Sequence, residues 1–389
     1  MSEALITPRV LTWARERAQF SHDILAQKIH SKPEKIFSWE AGDSYPTFRQ
    51  AQLLARALHI SFGYLFLSSP PQIELPIPDL RTIGSDQPTE LSPDFFAVVN
   101  DILRKQHWYK EYLQEEGEAP LPFLGRFNKQ SDALKISQDI TKTLGIDDSF
   151  RRSSTNWEDF LRELMRKSES VGILVFRSGV VGNNNQRKLS VEEFRGFAIA
   201  DAFAPVVFLN GNDAKAAQIF TLIHELAHLW IGESGISNSD LGRATNHDAQ
   251  VERLCNQVAA EVLVPHEIFA HEWLSGVQII DNINTLVRRF RVSSLVILRR
   301  ALDLNIITPD EFFPAYREEL EQQKQRETRR PGESSGDFFA TIGIRSSKRL
   351  LGTLVSATLE GRVLHRDAAR LLGVKVKTLE GIASNLGLR

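Results

Sequence analysis

The sequence predicts a multi-domain, mainly α protein: an all-α helix-turn-helix bundle, then an α+β core, then a small C-terminal helical region. Three observations predict it. Apolar residues recur at helical spacing along most of the 389 residues, whereas short strand-like runs fall within 171–210. A proline-rich stretch at 68–78 and a charged, Pro/Gly/Ser-containing stretch at 322–337 interrupt that periodicity. Within one helical pattern, His224, Glu225, Leu226, Ala227 and His228 spell H-E-x-x-H. The expected divisions are 1–68 for the bundle, 69–150 for a connector and helical region, 151–320 for the α+β core, 321–337 for a flexible linker and 338–389 for the C-terminal helices.

In the bundle, Val10, Leu11 and Ala14 begin a helix, and Ser21 caps a second one carrying Ile24, Leu25 and Ile29. His30 and Ser31 turn the chain into a third helix at 32–40. After a turn at 42–46, Thr47 caps a fourth with Ala51, Leu54, Ala55 and Leu58. Short helices joined by three- or four-residue turns describe a helix-turn-helix unit, with 32–39 as its recognition helix. Its DNA-facing positions are Lys32, Glu34, Lys35 and Ser38, with Arg15, Arg17, Lys28 and Arg49 as candidate phosphate contacts. Asp23, Glu34, Glu40 and Asp43 dilute the positive charge, so spacing alone serves a protein-docking bundle about as well.

Pro70, Pro71, Pro76 and Pro78 stiffen the connector. A helix at 92–117 follows, its Trp108, Tyr109, Tyr112 and Leu113 forming an aromatic stripe read as core. The α+β core is expected to run from a helix at 157–167 into a buried strand at 171–176, a polar loop at 182–185 placed to overhang a cleft, a strand beginning at 197–200, and a strand at 205–210. Gly211, Asn212 and Asp213 offer turn and N-cap chemistry for a helix reaching about residue 230, which Gly232 and Gly235 end. A second helix at 249–264 is stopped by Pro265. A strand edge beside the H-E-x-x-H helix would offer an extended peptide a pairing partner.

Residues four apart on a helix share a face, so His224 and His228 can bind one zinc ion, and Glu225 can take a proton from the water that the metal activates. Such a site needs a third protein ligand. Glu252, near the start of the next helix, is the leading candidate; His247 and Asp248 lie one turn earlier, and Glu261 is too far along and round the helix. No residue stands out as the oxyanion donor, for which His247 and His266 are only near in sequence.

Beyond this helix, 283–304 reads as two helices around Val292, Ser293 and Ser294. Arg288, Arg289, Arg291, Arg299 and Arg300 there are read as a solvated face rather than a binding surface. Residues 367–384 look like a further helix-turn-helix pair turning at Gly373, with docking of a partner as its expected role. The formal net charge is −2, so no global field advertises nucleic acid. The single cysteine, Cys255, cannot form an intrachain disulfide and reads as a packed thiol. With no apolar run of membrane-spanning length and no signal segment, a cytoplasmic protein without a membrane partner is expected.

The H-E-x-x-H segment, followed by E-R-L-C-N-Q-V-A-A-E-V-L-V-P at 252–265, resembles the ImmA/IrrE family of zinc metallo-endopeptidases, with Cys255 and Val258 at positions where the family has Ala and Phe. The resemblance implies a zincin-like metallopeptidase core, Zn2+ as cofactor, His224, His228 and Glu252 as its ligands, and Glu225 as catalytic base. W-A-R-E-R at 13–17, L-A-Q-K-I at 25–29 and W-E-A-G at 39–42 resemble an Xre-type, lambda-repressor-like DNA-binding domain, and L-F-L-S-S-P-P at 65–71 the junction of two-domain members. That architecture implies a regulator that binds DNA and cleaves a repressor-like protein, controlling stress-response or mobile-element genes. It also implies an alternative: a non-enzymatic antitoxin that binds a PIN-like toxin and keeps a structural or vestigial zinc site. Homodimerisation is compatible with either.

Overall fold

A computed structural model describes residues 3–72, 77, 91–237, 248–328 and 338–388. The chain divides into two compact units, Met1–Pro76 with Pro88–Asp101, and Ile77–Gln87 with Ile102–Arg389.

The first unit holds α1 (Pro8–Arg17), α2 (His22–Lys28), α3 (Pro33–Ala41), α4 (Phe48–Ala57) and the start of α5 (Pro93–Glu115). The expected caps form. Ser21 accepts the Ile24 N–H, and Thr47 and Gln50 make a reciprocal capping box. Gly42 ends α3 at φ 81°, a left-handed conformation that favours glycine. Leu11, Leu25, Ile36, Trp39, Ala51 and Leu54 fill the core, while Ile24 and Phe37 are 43% and 64% exposed. Glu40 binds Arg15 through both carboxylate oxygens, at 2.7 and 3.0 Å, and His22 at 3.1 Å. Arg15 is therefore tied into the bundle rather than held out as a phosphate contact.

The second unit is mainly helical around a small mixed sheet. The helices α6 (Ala133–Leu144), α7 (Asp148–Ser153) and α8 (Trp157–Ser170) precede β1 (Leu174–Ser178), β2 (Val180–Val181), β3 (Asn184–Lys188), β4 (Gly196–Ile199) and β5 (Val206–Asn210). Then come α9 (Lys215–Ile231), β6 (Gly235–Ser237), α10 (Asp248–Leu263), α11 (His266–Glu272), α12 (Ile279–Phe290), α13 (Ser294–Asp303) and α14 (Pro309–Thr328). The last four helices are α15 (Phe338–Arg345), α16 (Lys348–Leu359), α17 (His365–Leu372) and α18 (Val376–Asn385). The sheet order is β1-β5-β4-β6, with β1 and β5 parallel and the other pairs antiparallel. Helix α9 packs on it through Leu222, Ile223 and Leu226, and Val258, Val262 and Phe290 continue the same core.

Several expectations shift. The strand expected at 171–176 begins at Leu174, because α8 persists to Ser170 and Val171 and Gly172 (φ 108°) turn the chain. The polar loop at 182–185 is instead the tip and first residues of a β2–β3 hairpin. Asn212 does not cap α9; its amide bridges the Gly179 and Leu189 carbonyls, and α9 starts after Ala214 without a side-chain cap. Gly232, at φ 72°, ends α9 as expected, but Gly235 begins β6 and pairs with Ala198. Helix α14 runs to Thr328 through the first part of the expected linker, whose Gln, Lys, Arg and Glu residues are good helix formers; 329–337 lie outside the described residues. So do residues 73–76 and 78 of the proline-rich connector.

Nor is the arginine-rich segment a solvated face. Arg289 joins Asp148 to Glu272, Arg291 donates to the Ser154 carbonyl, and Arg300 is buried between the Val264 carbonyl and Glu261. Of the five, only Arg288 is exposed, and Arg299 is half-buried and pairs with Asp303 at 2.9 Å. In the aromatic stripe of α5, Tyr109 is core, whereas Trp108 and Tyr112 stack half-buried at 5.6 Å. No helix among the described residues is long and apolar enough to cross a membrane.

Candidate metal centre

Helix α9 is buried on every face from Gln218 to Ile231, so the polar side chains among its many apolar ones sit inside the protein. His224, Glu225 and His228 are each 0% exposed, and Glu252 from α10 is 8% exposed. Burying four such groups costs several kcal/mol unless each finds a partner, and their arrangement says what that partner is.

Nε2 of His224 and Nε2 of His228 lie 3.2 Å apart, and each stands 3.2 Å from one Glu252 oxygen. Donor atoms about 2.0–2.1 Å from a tetrahedral centre are about 3.3 Å from one another, so these three are spaced as ligands of one small cation. His224 Nδ1 lies 3.0 Å from Asn256 Oδ1. An amide oxygen only accepts, so the ring donates from Nδ1 and presents the Nε2 lone pair to the cluster, the usual way an outer residue fixes a ligating imidazole. Glu252 Oε1 is within ion-pair distance of His228 but off hydrogen-bond alignment, and no other described residue satisfies it. The residues present fit a metal ion: His224, His228 and Glu252 are a buried group that could hold one.

The electrostatics agree. Burial disfavours the His224 imidazolium, but the carboxylates of Glu252 and Glu225 and the Asn256 amide outweigh burial and raise its pKa. Burial likewise opposes the Glu252 carboxylate, yet His224 and His228 hold it well below the usual carboxylate range. Two carboxylates thus face two imidazoles in a dry site that favours added positive charge. Beside them, burial first and then the nearby Glu252, Glu225 and Glu233 push the Cys255 thiol well up, so it is a neutral packed thiol rather than a ligand.

The other candidates stand elsewhere. Glu261 takes His266 Nδ1 at 2.8 Å and Arg300, so both Glu261 and His266 are committed to a separate ion cluster. His247 and the Asp248 side chain lie outside the described residues. In the first unit, Lys32, the N-cap of α3, and Glu34 and Lys35 within it are exposed, whereas Ser38 is half-buried and bonded to Ser44 at 2.7 Å.

Two neighbours of the cluster escaped the sequence reading. Asn256 follows Glu252 by one helical turn, a spacing that could have marked it as a companion to the ligand. Gly196 of β4 faces Glu225: a methyl added there would lie 2.6 Å from Thr221 Cγ2, 2.9 Å from Glu225 Oε1 and 2.9 Å from the Phe208 carbonyl. Only glycine lets β4 pass this close to α9, and no local pattern in F-R-G-F announces that approach.

With this geometry in hand, residues 168–302 match the peptidase M78 family model, described as the IrrE N-terminal-like domain. The match spans the end of α8 to α13 and includes His224, Glu225, His228 and Glu252. A peptidase-family domain with a buried H-x-x-x-H and Glu group indicates a metallopeptidase. Residues 346–385 match a domain of unknown function (DUF8813). No curated protein matches the chain.

Proposed function

We propose that the chain is a zinc-dependent endopeptidase acting on a protein substrate, with the N-terminal helices binding DNA. The observation that carries the enzymatic part is the His224, His228 and Glu252 cluster with Glu225 on the same helix. Three protein ligands with a fourth position left for water are the composition of a catalytic rather than a structural zinc site. The metal, when bound, supplies Lewis-acid polarisation of the scissile carbonyl and a lowered pKa for the attacking water. His224, His228 and Glu252 hold it, and Asn256 orients His224. Glu225 takes the proton from the attacking water and delivers it to the leaving amine. The Gly196 backbone holds β4 against Glu225 and limits where that carboxylate can swing.

A DNA-binding N-terminal unit would give such a peptidase a regulatory setting, in which the substrate is a repressor-like protein. Exposed Lys32 and Lys35 at the start of α3 support that reading. A second reading, a non-enzymatic regulator that binds a toxin and keeps a structural metal, is favoured by the burial of all four site residues. One experiment separates them. Glu225→Gln should retain metal and lose cleavage of a candidate repressor by about 10²–10⁴-fold; retention of both metal and full cleavage would overturn the peptidase reading.

A further inference from the structure

The C-terminal helices α16–α18 take no part in the metal cluster, yet they form a specific arrangement. Helix α16 contributes Leu350, Leu351, Leu354 and Val355 to a small core, α17 adds Ala368, Ala369 and Leu372, and α18 adds Leu379, Ile382 and Ala383. Gly373, at φ 66°, closes α17, with its N–H on the Ala369 and Arg370 carbonyls, and α18 starts at Val376. Two helices joined by a three-residue, glycine-led turn and packed on a third have the connectivity of a helix-turn-helix unit, a motif that can set the start of its second helix into the DNA major groove.

The outer surface has the matching charge. Arg366 and Arg370 on α17, Lys375 as the N-cap of α18 and Lys377 within its first turn are exposed, against only Asp367 and Glu380 on these two helices. In a chain of net charge −2, that is a local concentration of positive charge. The β2–β3 hairpin meets the turn, where Asn183 Nδ2 donates to the Gly373 carbonyl at 2.9 Å. Exposed Asn184, Asn185, Gln186 and Lys188 follow Asn183, and no acidic residue occurs from 179 to 190. Amide and basic side chains beside such a turn can contact phosphates and groove edges as a wing does. Exposed Leu364 and Val376 would also suit a protein partner, but the excess of cations and the acid-free hairpin favour a polyanion.

We propose that α17, α18 and the β2–β3 hairpin form a duplex-DNA-binding surface, separate from the N-terminal helices and from the metal cluster. The test uses the full chain carrying Lys32→Ala and Lys35→Ala, so that the N-terminal helices do not mask the result. Its binding to a fluorescent random-sequence DNA duplex is followed by anisotropy across a salt series. Adding Lys375→Glu and Lys377→Glu should weaken binding by about ten-fold or more, and Lys375→Ala with Lys377→Ala should reduce the salt slope by about two. Lys375→Arg with Lys377→Arg should retain binding, which a folding defect at these exposed positions would not explain. Absence of duplex binding by the parent, an unchanged affinity after charge reversal, or tighter binding to a structured RNA of equal length would overturn the proposal.

Discussion

The two units each bury a glutamate between two basic side chains, and the pairs are built to different ends. In the first, Glu40 meets Arg15 through two directed hydrogen bonds and His22 through a third, at side-chain exposures of 9% and 12% for Glu40 and Arg15. The guanidinium is a permanent cation whose pKa the Glu40 hydrogen bond raises further, so the carboxylate is satisfied by the protein alone. In the second, Glu252 faces two imidazoles whose nitrogens point at one another and at it, all at 3.2 Å. As metal ligands, imidazoles bring lone pairs, not charge. The first arrangement is complete as it stands, whereas the second calls for a cation that the chain does not supply.

Substitutions sharpen that contrast. The largest effect should come from Glu252→Gln, which removes the carboxylate ligand: metal content measured after dialysis should fall to background, and cleavage with it. Gly196→Ala comes next. A methyl pressed against Thr221, Glu225 and the Phe208 carbonyl should cost about 1–3 kcal/mol in denaturant melts. It should also lower kcat by on the order of 10²-fold by displacing Glu225, while the metal remains bound. Asn256→Ala should weaken metal binding by about 10–100-fold in competition with a chromophoric chelator, because His224 loses the acceptor that fixes its ring.

The pH dependence of the metal-free protein follows from the same pair. The raised His224 pKa gives stability that is present below its ordinary 6.5 and lost as pH rises through the folded value. The lowered Glu252 pKa gives stability that is present above its ordinary 4.5 and lost as pH falls through its own folded value. Melts of the chelated protein should therefore show this contribution greatest between the two ordinary values, whereas metal binding should strengthen as pH rises and protons leave His224. The smallest effect should be Glu40→Gln, about 1 kcal/mol in the first unit, since an amide oxygen still accepts from Arg15. It should leave metal content unchanged.

How much of this was legible in the sequence depends on whether the determining contact is local. The ligands on α9 were readable because a four-residue spacing fixes a common helix face, and Glu252 because it falls early on the next helix. Caps at Ser21 and Thr47 were readable for the same reason. What escaped depends on chain segments far apart in sequence. Gly196 matters only because β4 crosses α9, Asn212 serves carbonyls 23 and 33 residues away rather than its own helix, and β6 exists only as a partner for β4. The arginines of α12 and α13 misled because composition shows charge, not the buried carbonyls and carboxylates that other segments bring to it.

Whether His224, His228 and Glu252 hold a metal ion is tested most directly by elemental analysis of the 389-residue chain purified without chelator, beside His228→Ala. The parent should carry about one zinc per chain and the variant only background zinc. A parent with less than about half a zinc per chain that also fails to take it up on titration, or a variant that retains as much as the parent, would contradict it.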